Sequence, residues 1–323
     1  MTTKISNIFI ITGPTCSGKT NVSLKIAQYI PEIEIISADS MQIYKHMNIG
    51  TAKPNNNILQ QYKHHCINIA DPANSFDVMK YTRKAQKCIA DIFSRHKKPL
   101  IVGGTGLYIK SFLNPFFEGP GRSENIRSKL NKLLENKGNI FLFNLLKKYD
   151  PVYSQKINHN DSKRIIRALE VYYLTGKPIS YYHKINQDNL NTYDMSKKTL
   201  DYYTICLYMD RINLYKKINR RVDFMIKMGL IEETKKLLEH LYNQNSNAMQ
   251  GLGYKQIVLY LKGVISREEA IEMIKKETRH FAKRQLSWFK NQIKVDCWIN
   301  LDNYNNYQEC AEKIVNIMKK KGY

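Results

Sequence analysis

Residues 13–20 are the part of the chain whose types and spacing are best suited to chemistry. They read Gly-Pro-Thr-Cys-Ser-Gly-Lys-Thr and match the phosphate-loop pattern G-x-x-x-x-G-K-[ST] at every fixed position. Gly13 and Gly18 allow backbone N–H groups to converge on phosphate oxygens at a helix N-terminus. Lys19 can supply a positive charge to the terminal phosphates, and the Thr20 hydroxyl can bind Mg²⁺. The segment predicts a phosphate-binding site without saying which phosphorylated compound it holds.

Two later loops carry groups that could act beside this phosphate site. Asp39 follows the apolar run 33–37, and its carboxylate is suited to hold Mg²⁺, to accept a proton or to cap its own loop. The segment 103–105, Gly-Gly-Thr, ends the apolar run 99–103, where many ATPases carry an acidic residue. Glycines at this point allow a bulky group to approach the backbone closely, which argues against an ordinary ATPase.

Alternating strands and helices are predicted around these loops. Apolar runs predict strands at 7–12, 33–37, 99–103, 202–209 and 294–300. After Thr20, apolar residues at positions 22, 24, 26, 27 and 30 predict a half-buried helix. Strand, glycine loop and helix together are the context that the phosphate-loop motif requires. We predict an α/β fold with a P-loop NTPase-like parallel sheet core, in which the loops meet at the carboxyl ends of the strands.

The sequence changes character between about 115 and 195, where helices are joined by polar loops. Ser123 can cap a helix that ends at Gly138, a second helix covers 140–149, and a third runs from Asp161 or Ser162 to the stop signal at 175–178. We interpret 115–195 as a helical insertion domain. The core then comprises 1–114 and 196–323, with a helical C-terminal region whose last long helix opens on a capping box at 266–269.

The chain is strongly basic, with 51 Lys and Arg against 28 Asp and Glu in 323 residues, a formal charge of +23. Such an excess favours a polyanionic partner, nucleic acid before membrane. The chain is also rich in Lys, Asn, Ile and Tyr, which A+T-rich codons favour, so compositional drift accounts for part of the excess. The positions of the cations are therefore more informative than their number.

Two groups of cations stand on predicted helices. Lys163, Arg164 and Arg167 lie in and after a first helical turn, opposite the apolar face of that helix, where cations oppose the helix dipole. An anion-facing patch is favoured there over a merely solvated face. The second group lies late in its helix, where the dipole stabilises cations, and is a weaker indication. It comprises Arg279, Lys283, Arg284 and Lys290, beside Trp288 and Phe289.

The cysteines and the apolar runs exclude several classes of protein. Six cysteines, at 16, 66, 88, 206, 297 and 310, form no Cys-x-x-Cys pair, so we expect neither a disulfide framework nor a metal cage. The segment 64–66, His-His-Cys, has no further ligands at useful spacing. No apolar run approaches ~18 residues, the length that spans a membrane. We expect a cytoplasmic protein in a reducing compartment and, by default, a monomer.

Short motifs follow one another in a fixed order along the whole chain. They occupy 13–20, 37–44 (Ser-Ala-Asp-Ser-Met-Gln-Ile-Tyr), 49–54 (Ile-Gly-Thr-Ala-Lys-Pro), 64–65, 103–108 (Gly-Gly-Thr-Gly-Leu-Tyr), 167–171 (Arg-Ala-Leu-Glu-Val), 175–177, 221–225 (Arg-Val-Asp-Phe-Met), 229–230, 253–256 (Gly-Tyr-Lys-Gln) and 283–288 (Lys-Arg-Gln-Leu-Ser-Trp). In this order they resemble the tRNA dimethylallyltransferases, isopentenyl transferases that modify adenosine 37 beside the anticodon. The phosphate loop alone is shared with many NTPases, whereas the ordered set is specific.

The resemblance implies transfer of a dimethylallyl group from dimethylallyl diphosphate to N6 of adenosine 37 in tRNA. It implies that Asp39 is the catalytic base and that Thr105 orients Asp39 or the target base, although Thr105 could equally be a turn hydroxyl. Thr20 would hold Mg²⁺. The diphosphate would be bound by Gly13, Pro14, Thr15, Cys16, Ser17, Gly18, Lys19, Thr20 and Arg221.

The same resemblance implies that the partner is the tRNA anticodon stem-loop, with the target base extruded into a channel. Gln42 is suited to forming hydrogen bonds with base edges. The cations of the insertion domain would bind the RNA. The implied contacts are Asp39, Ser40, Met41, Gln42, Lys163, Arg164, Ile165, Ile166, Arg167, Gln250, Gly251, Leu252, Gly253, Tyr254, Lys255, Arg279, Lys283, Arg284 and Gln285.

The chain departs from the family pattern at a few positions, and two other functions stay open. Cys16 stands where the family usually has alanine, so alkylation of this thiol could affect activity, and 64–68 reads His-His-Cys-Ile-Asn where His-His-Leu-Ile-Asp is common. One alternative is a P-loop small-molecule or nucleoside kinase, whose ATP-dependent phosphorylation would distinguish it. The other is a non-catalytic RNA-binding protein, whose RNA binding would not depend on Asp39 or on diphosphates.

Overall fold

A computed structural model describes residues 6–113, 119–192, 200–240, 243 and 246–323. Its described residues form a parallel sheet with the strand order β3-β2-β4-β1-β5-β6. The strands are β1 (Ser6–Thr12), β2 (Ile33–Ser37), β3 (His64–His65), β4 (Lys98–Val102), β5 (Leu200–Tyr208) and β6 (Cys297–Asn300). The predicted α/β class is confirmed, and each of the five predicted strands is present within a few residues of its expected bounds.

The helices lie between and after these strands. They are α1 (Lys19–Tyr29), α2 (Asn56–Gln61), α3 (Val78–Ser94), α4 (Gly106–Leu113), α5 (Glu124–Tyr149), α6 (Pro151–Ser154), α7 (Ser162–Thr175), α8 (Ile179–Thr192), α9 (Arg211–Lys227), α10 (Leu230–Glu239), α11 (Tyr254–Leu261), α12 (Arg267–Gln292) and α13 (Tyr307–Lys320). None of these helices combines the length and the apolar character that crossing a membrane requires.

The central strands are buried on both faces because successive side chains of a strand point to opposite sides of the sheet. On one face Phe9 and Ile11 pack with α1 and α13, and on the other Ile8 and Ile10 pack with α3 and α4. All four side chains are fully buried. This continuous apolar character is typical of a parallel strand covered by helices, and it fixes the loop after β1 at the centre of the sheet edge.

The chain divides into two compact units. One comprises residues 1–114 and 199–323 and contains the sheet, and the other comprises residues 115–198. The expected boundaries at 114/115 and 195/196 fall within 114–118 and 193–199, outside the described residues.

The smaller unit has its own apolar core, formed by α5 and α7 around Leu142, Ile165 and Leu169. Helix α5 is interrupted at Gly138, whose φ of 77° is left-handed, so the predicted stop is a break within one element. Helix α7 begins after Asp161, whose side chain accepts a hydrogen bond from the Arg164 N–H, as the sequence predicts.

A third cluster lies in the larger unit, where α9, α10, α11 and α12 pack around Tyr254 and the segment 43–49. Glu233 of α10 organises it, because its carboxylate accepts the backbone N–H groups of residues 48–50 and the Tyr254 hydroxyl. Two of the family-like motifs, 49–54 and 253–256, thus have a packing role.

Several elements were not individually predicted from the sequence, among them β3 and α13. Strand β3 has only two residues, too few to show an alternation of apolar and polar side chains. Helix α13 follows β6 after a short 3-10 turn at 301–303, and its apolar face, including Ile314 and Met318, is fully buried against the sheet side that α1 covers.

Candidate active site

Three loops meet at the carboxyl edge of the sheet because β2, β4 and β1 are neighbours. They follow β1 (residues 13–18), β2 (38–42) and β4 (103–105). Together with one side of α9 and one side of α12 they line a cavity of about 750 Å³. The expectation that the phosphate loop, the Asp39 loop and the Gly103-Gly104 loop lie close together is met.

The phosphate loop wraps around the ammonium group of Lys19. Lys19 Nζ donates hydrogen bonds of 3.0 and 2.7 Å to the carbonyl oxygens of Gly13 and Pro14. Burial lowers the pKa of Lys19 to about 8, an effect that Asp39 opposes and Arg221 reinforces. An anion entering the cavity would therefore meet a cation that burial has destabilised, and would stabilise its charged form.

Two hydroxyl groups of the phosphate-loop motif 13–20, those of Ser17 and Thr20, could bind a ligand. The Ser17 hydroxyl is buried with no hydrogen-bond partner among the described residues. The Thr20 side chain is exposed and lines the cavity. Buried polar groups are normally hydrogen-bonded, so an orphaned hydroxyl within a phosphate loop is consistent with a site built for an anion.

Helix α9 brings cations to the wall beside the phosphate loop. Arg221 lines the cavity and its guanidinium lies 3.5 Å from the Cys16 sulfur. Lys217, one helical turn earlier, lines the same wall and donates to the Tyr307 hydroxyl at 3.3 Å. Sequence reasoning identified Arg221 through its motif but missed Lys217 and Tyr307, which no motif marks.

The Asp39 side chain is held by its own loop. Its Oδ1 atom accepts hydrogen bonds from the N–H groups of Met41 at 2.8 Å and Gln42 at 3.3 Å, while Oδ2 has no hydrogen-bond partner in the described part of the chain. One carboxylate oxygen thus orients the group and the other is available to the cavity, which Asp39 lines. This is the arrangement that a positioned proton acceptor needs.

Thr105 contacts the neighbour of Asp39 and not Asp39 itself. Its hydroxyl oxygen accepts the Ser40 N–H at 2.9 Å and lies 3.3 Å from the Ser40 hydroxyl. The predicted role of orienting Asp39 is therefore indirect in this structure: Thr105 fixes the loop on which Asp39 stands. Both Thr105 and Ser40 line the cavity and remain within reach of a ligand.

The groups that approach Gly103 and Gly104 belong to the protein. A Cβ added at Gly103 would overlap the Ala38 carbonyl, and one at Gly104 would lie 2.7 Å from the Gln285 side-chain nitrogen. The two glycines therefore allow the β2 loop and α12 to pack against the β4 loop. The expectation that a bulky group approaches them is met by protein atoms of the chain itself.

Two of the three glutamines expected at the RNA surface, Gln42 and Gln285, are engaged within the protein. The Gln42 amide bonds the Ser37 hydroxyl at 3.3 Å and donates to the Thr51 carbonyl at 3.3 Å, so it is not free to read a base edge here. Gln285 is buried and bonds two backbone groups of the site loops, Thr15 and Gly104. Gln285 also lines the cavity, so its direct contact with RNA stays a prediction.

The expected RNA-contacting residues of α7 separate into exposed and buried positions. Lys163 and Arg164 are exposed, and Arg164 pairs with Asp161 at 3.3 Å. Ile165 and Ile166 belong to the apolar core of their unit, so their side chains do not reach the surface. This corrects the prediction for these two residues, since one face of an amphipathic helix must be buried.

Arg167 of α7 is also committed within the protein. It donates to Glu170 at 2.7 Å and to the Pro120 carbonyl at 2.9 Å. Glu170 is fully buried and also accepts from Arg127 and from the Ser123 N–H. The sequence placed Arg167 with the other cations, but its guanidinium compensates a buried carboxylate.

The segment 250–255 meets the Asp39 loop through Gly251, where an added Cβ would overlap the Met41 side chain. Leu252 and Gly253 line the cavity, whereas Tyr254 is fully buried. Lys255 pairs with Glu277 of α12 at 2.7 Å. Gln250 lies at the start of this segment and lines a smaller cavity of about 270 Å³ with Lys255.

Helix α12 carries the remaining expected RNA contacts. Lys283 and Arg284 are exposed, and Arg279 donates to the Asn219 side chain at 2.8 Å with its guanidinium 5.9 Å from the Tyr215 ring. The exposed cations of this helix are close in sequence to residues that line the cavity, such as Phe281. The helix thus has one side toward the cavity and another toward solvent.

The polar residues of the cavity fit a magnesium ion that is held together with a phosphorylated ligand. Mg²⁺ prefers oxygen ligands and usually takes one or two from the protein, with phosphates and water supplying the others. Thr20 and Asp39 both line the cavity and offer a hydroxyl and a free carboxylate oxygen. Within the described residues no cluster of three or more His, Cys, Asp or Glu side chains forms a metal cage.

Comparison with known proteins shows similarity over nearly the whole chain. The profile of a family described as IPP transferase matches residues 42–292. A tRNA dimethylallyltransferase of Thermoanaerobacter sp. (strain X514) is 47% identical over 315 residues, which cover 95% of this chain and 96% of that protein. A protein of the same name from Acetivibrio thermocellus is 43% identical over 316 residues, 98% of this chain and 97% of the other.

Solved structures give the same similarity in three dimensions. A tRNA delta(2)-isopentenylpyrophosphate transferase from Staphylococcus epidermidis has a TM-score of 0.68 and 37% identity, over 98% of this chain and 99% of that chain. A eukaryotic dimethylallyltransferase, crystallised acting on tRNA, has a TM-score of 0.77 and 28% identity, over 98% of this chain and 80% of the other. The predicted P-loop NTPase-like core is thereby confirmed.

Proposed function

The chain belongs to the IPP transferase family, and we propose that it transfers a dimethylallyl group from dimethylallyl diphosphate to N6 of adenosine 37 in tRNA. The observation that carries this proposal is the convergence of Lys19, Arg221 and Asp39 on one cavity. Cations at one point and a carboxylate at another supply the two charges that a group transfer from a diphosphate to an amine requires.

The phosphate loop would hold the diphosphate. Backbone N–H groups of the loop, the Lys19 ammonium and the Arg221 guanidinium would stabilise negative charge as it grows on the departing diphosphate. A magnesium ion held by Thr20 and the diphosphate would neutralise part of the same charge. Apolar side chains of α9 and α12, including Ile218 and Phe281, line the same cavity and would receive the five-carbon chain.

The transfer itself replaces a carbon–oxygen bond with a carbon–nitrogen bond. The lone pair of N6 attacks C1 of the allylic group, the C1–O bond breaks, and its electron pair leaves on the diphosphate. N6 is a weak nucleophile because its lone pair is delocalised into the adenine ring. Asp39, with Oδ2 open to the cavity, would accept the N6 proton, and Thr105 would hold the loop that positions it.

Exposed cations of each unit, taken by itself, are candidates for binding RNA. Lys163 and Arg164 are exposed on α7, and Lys283 and Arg284 on α12. The target adenosine would be extruded from the anticodon loop into the cavity, where Asp39 and Ser40 would meet it. We assign the reaction to a monomer in the cytoplasm, which sedimentation of the purified protein and fractionation of cells would test.

The experiment that tests this function is a mass measurement of the acceptor RNA. The protein is incubated with dimethylallyl diphosphate, Mg²⁺ and a short anticodon stem-loop RNA with consecutive adenosines in its loop. We expect the RNA to gain one C5H8 unit. Lys19→Ala and Asp39→Asn should abolish the gain; the asparagine keeps an acceptor for the Met41 N–H and removes the negative charge and the basicity of the carboxylate.

Asp201→Ala is the matched control, because it removes an exposed carboxylate at the start of β5, outside the residues that line the cavity. Full activity of Asp39→Asn would remove Asp39 from the role of base. Absence of any mass gain with the unaltered protein, together with consumption of ATP in a parallel reaction, would replace the proposed transfer by kinase chemistry.

A further inference from the structure

One side of α12 follows the cavity. Ile274, Thr278, Phe281 and Gln285 all line it, at the spacing of four, three and four residues that a helix face requires. Gln285 is the one long polar side chain of this stripe and is only 8% exposed. A buried amide is unfavourable unless both its donor and its acceptor find partners, so its contacts determine why a glutamine stands here.

Both ends of the Gln285 amide are used, and each contacts a different loop of the site. Its Oε1 atom accepts the backbone N–H of Thr15, in the phosphate loop, at 2.8 Å. Its Nε2 group donates to the backbone carbonyl of Gly104, in the loop after β4, also at 2.8 Å. A single side chain of α12 therefore joins two loops that are separated by about ninety residues in sequence.

The joined loops are also those that surround the Lys19 ammonium. A Cβ at Gly104 would lie 2.7 Å from Gln285 Nε2 and 3.6 Å from Lys19 Nζ, and 3.3 Å from the Gly13 carbonyl to which Lys19 donates. The Gln285 amide and the Lys19 ammonium thus lie on nearby sides of the Gly104 backbone. A displacement of Gln285 would move the segment that contacts the phosphate-binding cation.

The residues just before Gln285 face the other way. Lys283 and Arg284 are exposed and precede the glutamine directly in α12. RNA bound to Lys283 and Arg284 would contact the turn of α12 whose Gln285 side chain holds the phosphate loop. Helices move as rigid units over a turn or two, so a shift of this turn would be passed to Thr15 and Gly104.

We propose that Gln285 is a positioning residue that couples RNA docking on α12 to the geometry of the diphosphate site. The inference rests on the proposed function, because it takes the occupant of the phosphate loop to be a diphosphate and the partner of α12 to be RNA. Both ends of the side-chain amide bond protein atoms, the Thr15 N–H and the Gly104 carbonyl. The side chain acts by holding the phosphate loop and the Gly104 loop at a fixed separation, and RNA bound on the same helix stabilises that arrangement.

The test compares four full-length proteins: the unaltered chain, Gln285→Ala, Gln285→Glu and Ser287→Ala. Gln285→Glu keeps the volume and the acceptor for the Thr15 N–H but turns a carboxylate oxygen toward the Gly104 carbonyl. Ser287→Ala is the matched control on the same helix, because its hydroxyl is exposed and, among the described residues, accepts a hydrogen bond from Asn291 alone. Thermal unfolding identifies any variant that does not fold, in which case the other Gln285 variant carries the test.

Calorimetry measures the dissociation constant of inorganic diphosphate with Mg²⁺, with and without a short anticodon stem-loop RNA. In the unaltered chain and in Ser287→Ala we expect the RNA to tighten diphosphate binding. Gln285→Ala should weaken diphosphate binding about five- to tenfold without RNA, as the loss of two buried hydrogen bonds implies, and should abolish the tightening. Gln285→Glu should weaken diphosphate binding at least as much, since the glutamate adds a negative charge beside the diphosphate site.

RNA affinity separates this role from a direct RNA contact. Measured without diphosphate, it should change less than about twofold in Gln285→Ala if the residue acts through the phosphate loop. Unchanged diphosphate affinity together with a large loss of RNA affinity would overturn the inference and restore Gln285 as an RNA contact. An unaltered chain that binds no diphosphate would refute both proposals, whereas one that binds both ligands without transferring the prenyl group would refute only the proposed chemistry.

Discussion

Raising the pH through the range where Lys19 loses its proton is expected to weaken diphosphate binding. Burial in the phosphate loop lowers the pKa of Lys19 to about 8 from its usual 10.5, with Asp39 opposing the shift and Arg221 adding to it. Below this pKa the cavity presents an ammonium group to the ligand, and above it a neutral amine. A diphosphate interacts strongly only with the charged form, so binding must take up a proton at alkaline pH.

The size of the effect follows from the shifted pKa. If only the ammonium form binds, the apparent dissociation constant is proportional to 1 + 10^(pH − pKa), so it rises about tenfold between pH 7 and pH 9 for a pKa of about 8. A lysine at its usual 10.5 would leave the constant nearly unchanged over that range. The stability of the ligand-free protein is expected to depend on pH in the opposite direction: it should rise with pH, whereas the affinity for diphosphate should fall. The unfolded chain holds this proton up to 10.5, so Lys19 destabilises the fold below about 8 and this penalty is relieved as the pH rises.

The assay is calorimetric titration of inorganic diphosphate with Mg²⁺ at a series of pH values. Lys19→Met supplies the baseline, because ionisation of the ligand and of the buffer remains while the buried ammonium is removed. Cys16→Ala removes the thiol of the same loop and should keep the slope of the unaltered protein. The reasoning is refuted if Lys19→Met shows the same pH dependence as the unaltered chain, since Lys19 would then not be the titrating group.

The other two predictions concern stability. Arg95 is the main cause that holds the pKa of Glu34 at about 2, against a usual 4.5, and this corresponds to about 3 kcal/mol of stability. That contribution is present above pH 4.5 and is lost as the pH falls toward 2. Urea titrations of Glu34→Gln should therefore show a lower free energy of unfolding at neutral pH and a smaller loss of stability on acidification. A variant as stable as the unaltered chain at neutral pH would contradict this. Glu233→Ala should lower the free energy of unfolding by about 2–4 kcal/mol, because it leaves the Tyr254 hydroxyl and three backbone N–H groups without their acceptor. Glu232 is exposed, so Glu232→Ala should lower it by less than about 0.5 kcal/mol in the same titration. Equal losses for the two alanine variants would show that the carboxylate of Glu233 does not organise its loop.

Several features of the site and its scaffold could be predicted because their signals are local. The phosphate loop combines glycines, a lysine and a hydroxyl within eight positions between a strand and a helix. Asp161, Ser266 and Gly176 mark helix ends through bonds or backbone angles that involve only near neighbours. The strands at the centre of the sheet are continuous apolar runs, because a parallel strand is covered on both faces.

Roles that depend on distant segments were predicted less well. Gln285 and Arg167 are polar residues in motifs or among cations, and their sequence neighbours gave no sign that each would be committed within the protein. Lys217 and Tyr307 reach the cavity from helices that follow β5 and β6, and nothing in their spacing points to the phosphate loop. Ile165 and Ile166 were included with the cations beside them, although helical periodicity places them on the buried face.

The sequence by itself determined the elements and the chemistry they could carry: a phosphate loop, a carboxylate after the next strand, and helices rich in cations. Only the tertiary structure decided which polar groups face the cavity and which form hydrogen bonds within the protein that stabilise the site. The physical reason is that strand order brings β2, β4 and β1 side by side, so groups far apart in sequence become partners. Gln285 shows the difference, since its hydrogen-bonding capacity is evident from its type, whereas its two partners are set by the packing of α12 on the sheet edge.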